Sequence, residues 1–174
     1  GEPFLREFYS AFLVDRSAIT VVARDQDGDP VGAVVGSLLP SGFYGRLLRR
    51  RLIPLALISL RFALLHPRQA PRLWRAVHYR GGGYGAAGDA LLSSLCVDPH
   101  RQGHGIGHRL VSEWMRAAGG GGAPAAILTT DAVANDRVNA FYTSLGWRRV
   151  NQVVTPEGRA MNVYRTVLTD GSPS

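Results

Sequence analysis

The chain has 174 residues, 45% hydrophobic and 19% charged, with a formal net charge of +7. That balance suits one globular domain with a single core and excludes a disordered or fibrous chain. The lone Cys96 excludes an intramolecular disulfide, and the longest apolar run, Leu52 to Leu65, contains Arg61 and falls short of the roughly 20 residues a membrane-spanning helix needs.

Phe4 to Leu13 places Leu5, Phe8, Phe12 and Leu13 at helical spacing and predicts a short helix. The chain opens inside it, so further residues are expected upstream. Ala18 to Ala23 is a β-branched run, Asp25 to Pro30 a turn cornered on Asp27-Gly28, and Val31 to Leu39 a returning strand; together they predict a hairpin.

Pro40 to Gly88 differs in kind. Residues 30–88 carry nine Arg and no acid, which is more than the whole excess charge of the chain. Pro54, Pro67 and Pro71 cut the segment into pieces of helical length. Leu52 to Leu65 is apolar nearly all round, as in a buried helix or one lying in a lipid interface. Every basic residue of the protein is Arg, so no side-chain amine is present to be acylated or to form a Schiff base.

Leu91 to Ala118 predicts a strand, a glycine-rich turn and an amphipathic helix. Leu91, Leu92, Leu95 and Val97 form the strand, and Asp98-Pro99 stops it, since proline brings no ladder donor. A helix opens within Gln102-Gly103-His104-Gly105-Ile106-Gly107; Ile106, Leu110 and Trp114, with Val111 and Met115, form its apolar face. A helix that opens on glycines leaves several N–H groups aimed at one spot, which favours phosphate. Gly119 to Gly122 reads as a loop, and Ala125 to Thr130 as a short buried strand. Asp136 to Leu145 reads as a helix with Val138, Phe141, Tyr142 and Leu145 on the core side and Gly146 closing it. Trp147 to Val154 and Met161 to Leu168 are strands around Thr155-Pro156-Glu157-Gly158. The order predicts one α/β domain over residues 1–174, a mixed sheet with flanking helices and an arginine-rich helical insertion at about 40–88.

Leu95-Cys96-Val97-Asp98-Pro99 followed by Arg101-Gln102-Gly103-His104-Gly105-Ile106-Gly107 resembles the acyl-CoA signature of the GNAT N-acetyltransferase superfamily, Gln/Arg-x-x-Gly-x-Gly/Ala after a strand. A second element matches in order and spacing: Asn135, Asn139, Phe141-Tyr142 and Leu145-Gly146-Trp147, with Asn135 and Tyr142 seven apart. The resemblance covers roughly residues 16–39 and 89–168. It implies a mostly antiparallel mixed sheet whose first strand lies upstream of Gly1. It also implies acetyl-CoA as cosubstrate, lying along Leu91–Val97. In that arrangement Leu95, Cys96 and Val97 supply the backbone beside the thioester, and Gln102, Gly103, His104, Gly105, Ile106 and Gly107 hold the pyrophosphate. Asn135 and Asn139 would stand beside the cofactor, and Tyr142 would be the acid that protonates the leaving thiolate. Many relatives carry a glutamate base five residues before the Asn; here Thr130 stands there, with Asp131 next to it, so no single base is assigned.

Each of these residues also has a plainer reading. Spacing alone would make Tyr142 a core tyrosine, Asn135 a helix N-cap and Cys96 a buried strand residue. His100, His104 and His108 are four apart, but no carboxylate or thiolate completes a metal set, and no metal is expected. His66 and His78 read as structural or exposed. A Walker loop is excluded by the lack of Lys, and a dinucleotide fingerprint by His108. The functional expectation is a cytoplasmic enzyme that acetylates a primary amine of a small molecule, an amino sugar or another biosynthetic intermediate. Acetylation of a protein amine is the alternative, and so is a CoA-binding module whose basic segment docks RNA or membrane. Residues 46–80 would be either a solvated cover or a contact for an anionic group or membrane surface. Nucleic acid is not the expected partner, and a homodimer is left open.

Overall fold

A computed structural model describes residues 15–39, 85–155 and 157–168. The predicted helix at Phe4–Leu13 and nearly all of the arginine-rich segment, with His66 and His78, lie outside the described residues. The elements in order are β1 (Ala18–Arg24), β2 (Pro30–Ser37), β3 (Ala90–Val97), a 3-10 turn (Pro99–Arg101), α1 (Ile106–Gly120), β4 (Ala125–Asp131), α2 (Asp136–Ser144), β5 (Arg148–Val154) and β6 (Ala160–Val167). The strands form one sheet in the order β1-β2-β3-β4-β6-β5, and only β3 and β4 run parallel. Two strand–helix crossovers, β3-α1-β4 and β4-α2-β5, follow from that order.

Both helices pack on one face of the sheet, because their residues share a single core cluster: Leu110, Val111 and Trp114 from α1, Tyr142 from α2, and Val34, Leu92 and Leu128 from the strands. Trp114 is wholly buried. It fits only because β2 carries Gly36 beneath it. A Cβ there would stand 2.4 Å from the indole and 2.3 Å from the Leu91 carbonyl oxygen.

Several expected boundaries move. The helix α1 continues through Gly119 and Gly120, where a loop was expected; Gly121 still donates to the Ala117 carbonyl, and the chain breaks away only at Gly122, whose φ is 86°. Val138 is exposed although its spacing puts it on the core side. Tyr142 is the only buried residue of this nine-residue helix, so its first turn has no core beneath it. Cys96 is exposed rather than buried. Its neighbours Leu95 and Val97 pack on the core, and alternation along the strand turns Cys96 to the other face, its thiol 3.6 Å from the Ala33 carbonyl oxygen.

A buried ion pair closes the start of β3. Asp89 is 1% exposed and accepts from Arg165 Nε at 2.8 Å and Nη2 at 3.0 Å, and from the Ala86 backbone N–H at 3.0 Å. The Arg165 hydrogen bonds hold the Asp89 carboxyl below its ordinary range, against the cost of burial. Removing Arg165 leaves a buried carboxylate without its counter-charge. Arg165→Ala is therefore expected to cost about 3 kcal/mol at neutral pH. Because the folded carboxyl is depressed below its unfolded value of about 3.9, this stabilisation is present above about pH 4 and fades as pH falls through the depressed value. Urea titrations of both proteins at pH 7 and pH 3 check this: the gap should narrow at the lower pH.

Candidate active site

β3 and β4 are partners over two residues only, Ala90 with Ala126 and Leu91 with Ile127. Beyond these the two strands part. β2 keeps its pairing with β3 as far as Val97, and β6 keeps its pairing with β4 as far as Asp131. The sheet therefore opens in a V between two well-supported strands. From Leu92 to Val97, β3 has no β4 residue paired with it. The register of β2 on β3 slips at Ser93, which falls between the Gly36–Leu92 and Val35–Ser94 pairs. That bulge bends β3 where the V opens.

The glycine-rich turn stands at the mouth of the V. Asp98 receives the His100 N–H at 2.9 Å, which starts the 3-10 turn, and Gly103 and Gly105 take left-handed φ values of 84° and 74°. Among the described residues, no atom lies within 4 Å of a Cβ built on either glycine. The first intrahelical bond of α1 is Arg109 N–H to the Gly105 carbonyl, and no side chain caps the helix. The N–H groups of Ile106, Gly107 and His108 thus have no partner in the helix, and no acidic residue stands in its first turn. His104 lies against the turn with Nδ1 3.0 Å from the Gln102 carbonyl oxygen. A carbonyl only accepts, so Nδ1 carries the hydrogen and Nε2 is the nitrogen left to face a ligand.

α2 joins the two arms of the V. At one end Phe141 meets α1: its ring stacks edge-on to His108 at 5.1 Å and lies 3.4 Å from where a Gly107 Cβ would be, with the Val97 side chain at 3.8 Å. At the other end Asn135 Nδ2 donates to the Asp131 carbonyl at 3.2 Å. Asn135 holds the N-cap position yet makes no capping bond with its side chain. Asn139 is a hub. Its Nδ2 donates to the carbonyls of Asp131 (3.2 Å) and Asn135 (2.9 Å), and its Oδ1 accepts from Thr130 Oγ1 (2.7 Å), Asn162 Nδ2 (3.2 Å) and the Tyr164 hydroxyl (3.1 Å). The amide is used at both ends, in hydrogen bonds within the protein. Asn162 and Tyr164 lie within the strand predicted at Met161 to Leu168. Their partnership with Asn139 spans more than twenty residues and leaves no local pattern.

Tyr142 is buried among the rings of Phe141, Trp147 and Tyr164, at centroid distances of 5.1, 6.0 and 6.4 Å. Burial pushes its phenol up to about 12. Its hydroxyl makes no hydrogen bond among the described residues. At the position where many relatives carry a glutamate, Thr130 donates to Asn139, and the neighbouring Asp131 carboxylate is clasped by Arg159 at 2.6 and 2.7 Å.

A parallel strand pair that opens at a bulge, with an uncapped helix N-terminus at its mouth and the next helix spanning both arms, is the arrangement expected from the resemblance to the GNAT acetyltransferases. The family model described as an acetyltransferase (GNAT) domain matches residues 75–149 of the chain. Such domains transfer acetyl from acetyl-CoA to an amine. No curated protein sequence matches the chain significantly. Among solved structures, a putative GNAT-family acetyltransferase from Desulfovibrio desulfuricans superposes with a TM-score of 0.63 at 16% identity, covering 96% of this chain and 80% of that one. A putative streptothricin acetyltransferase from Bacillus anthracis, in complex with acetyl coenzyme A, gives 0.60 at 13% identity, covering 92% and 68%. The ribosomal-protein-S18-alanine N-acetyltransferase from Escherichia coli gives 0.56 at 14%, covering 97% and 79%.

Proposed function

We propose that the protein acetylates a primary amine of a small molecule, an amino sugar or a comparable biosynthetic intermediate, by direct attack on the thioester of acetyl-CoA. The observation that carries this reading is the V itself. Beyond Leu91 β3 pairs no further with β4, which suits an extended chain laid alongside as a strand would be, and the path ends at the uncapped turn Gln102–Gly107. The pantetheine arm lies along Leu92–Val97, and the pyrophosphate rests on the N–H groups of the turn. A backbone N–H of the Leu95–Val97 stretch faces the thioester oxygen and stabilises the charge that builds there. The amine nitrogen bonds to the carbonyl carbon, the C–S bond breaks, and Tyr142 gives its proton to the departing sulfur. The burial that raises the phenol also desolvates the thiolate and raises its proton affinity, which keeps the two matched. With Thr130 and Asp131 both engaged, the attacking amine arrives neutral and its proton leaves through water.

The arginine-rich residues 46–80 suit an acceptor that carries an anionic group beside its amine. Release of free thiol from acetyl-CoA tests the reading, with glucosamine, spermidine, nourseothricin and an alanine-ended peptide as acceptors. A small amine should be turned over, and the rising limb of the pH–rate curve should follow that acceptor's own pKa. Turnover of the peptide alone would make the protein a protein N-acetyltransferase. No thiol release, with salt-sensitive binding to RNA or anionic vesicles, would make it a binding module.

A further inference from the structure

Asn139 stands one turn before Tyr142 on α2, and its bonds run to β4 and β6. We propose that Asn139 is a positioning residue: it locks α2 onto β4 and β6 and so holds the Tyr142 phenol in register with the mouth of the V. The inference rests on the acid role proposed for Tyr142.

Apolar packing gives α2 a single fully buried anchor, Tyr142 itself. Tyr142 and the partly buried Phe141 beside it anchor only the later part of the helix and leave its first turn free to rock. The Asn139 amide removes that freedom. Its nitrogen ties the last residue of β4 to the start of α2, and its oxygen gathers donors from Thr130 on β4 and from Asn162 and Tyr164 on β6. These three donors are almost completely buried, at 7%, 4% and 4% exposure, and Gln152 on β5 extends the chain of bonds to Asn162. Tyr164 touches both residues, since its hydroxyl donates to Asn139 while its ring lies 6.4 Å from that of Tyr142. An apolar residue facing apolar strands would hold the helix down without a fixed register. A satisfied polar network in a buried place admits one arrangement only. Thr130, which stands where many relatives carry a glutamate, belongs to this lock.

The test uses Asn139→Leu and Tyr142→Phe, singly and together, with acetyl-CoA and the panel amine turned over fastest. Asn139→Leu should lower kcat by about 10- to 100-fold, the cost of an acid displaced by a fraction of an ångström to an ångström, while CoA binds within about threefold of wild type. In the Tyr142→Phe background the same substitution should cost almost nothing further, because there is no acid left to misplace. Tyr164→Phe removes one bond of the lock, keeps the ring, and should show the same non-additivity on a smaller scale; it decides the matter if Asn139→Leu does not fold. Full additivity would overturn the inference, as would a loss confined to CoA affinity, which would return Asn139 to the cofactor. If Tyr142→Phe by itself leaves kcat unchanged, the acid role falls and the inference with it. If Tyr142→Phe is slow and the lock variants are not, the acid role stands and the inference alone fails.

Discussion

Tyr142→Phe is expected to lower kcat by about 100-fold or more, the usual worth of a positioned general acid. Affinity for CoA and thermal stability should barely change. The ring keeps its contacts with Phe141, Trp147 and Tyr164, and the hydroxyl that is lost makes no hydrogen bond among the described residues. Burial also sets the pH behaviour. With its phenol pushed up to about 12, Tyr142 stays protonated through neutral and mildly alkaline solution and loses its proton only near that value. A falling limb centred near pH 10 should therefore be absent from the wild-type profile. Steady-state kinetics with calorimetric CoA binding decide the first point; unchanged kcat would take the acid role from Tyr142.

Gly107→Asp should raise the Kd for CoA by about 100-fold while leaving the fold intact. The first turn of α1 has free N–H groups and no acidic residue. An aspartate there would occupy those donors and repel the pyrophosphate; losing about 3 kcal/mol of charge-assisted hydrogen bonds corresponds to that factor. The same carboxylate is favourable to the helix, since it complements the N-terminal end of the dipole. Its Cβ would lie 3.4 Å from the Phe141 ring, so the ring must shift slightly. A thermal melt and a CoA titration separate the two effects. Unchanged CoA affinity would place the pyrophosphate elsewhere, and a lowered melting temperature would show that Gly107 is required for packing.

The residues of the site fall into two groups by how they could be read. The turn was legible because its signal is local: glycines at 103, 105 and 107 and an apolar period of four from Ile106 lie within one stretch of chain. Tyr142 was legible only through its spacing from Asn135, since an apolar helix face by itself makes it a core residue, and it is indeed part of the core as well. Asn139 was legible as a residue of interest, but its hydrogen-bond partners were not. Which atoms an amide meets depends on the register of β4 against β6, where Thr130 pairs with Asn162 and Leu128 with Tyr164. Cys96 was misplaced because an apolar run gives no parity until a helix settles on one face.

By itself, then, the sequence determined the hairpin β1-β2, the strand–turn–helix from β3 to α1, the second strand–helix unit and the closing hairpin. Each rests on periodicity and turn chemistry that act within a few residues. Only the tertiary structure decided that β3 and β4 stay paired for two residues and then separate. Strand pairing is a relation between distant segments, set here by a bulge at Ser93 and by how α1 and α2 fill the same face of the sheet. The Asp89–Arg165 pair at the closed end of the V joins residues 76 apart in the chain, and the Asn139 hub bridges three elements near its open end. The sequence names the chemistry, and the long-range contacts decide where its gap opens.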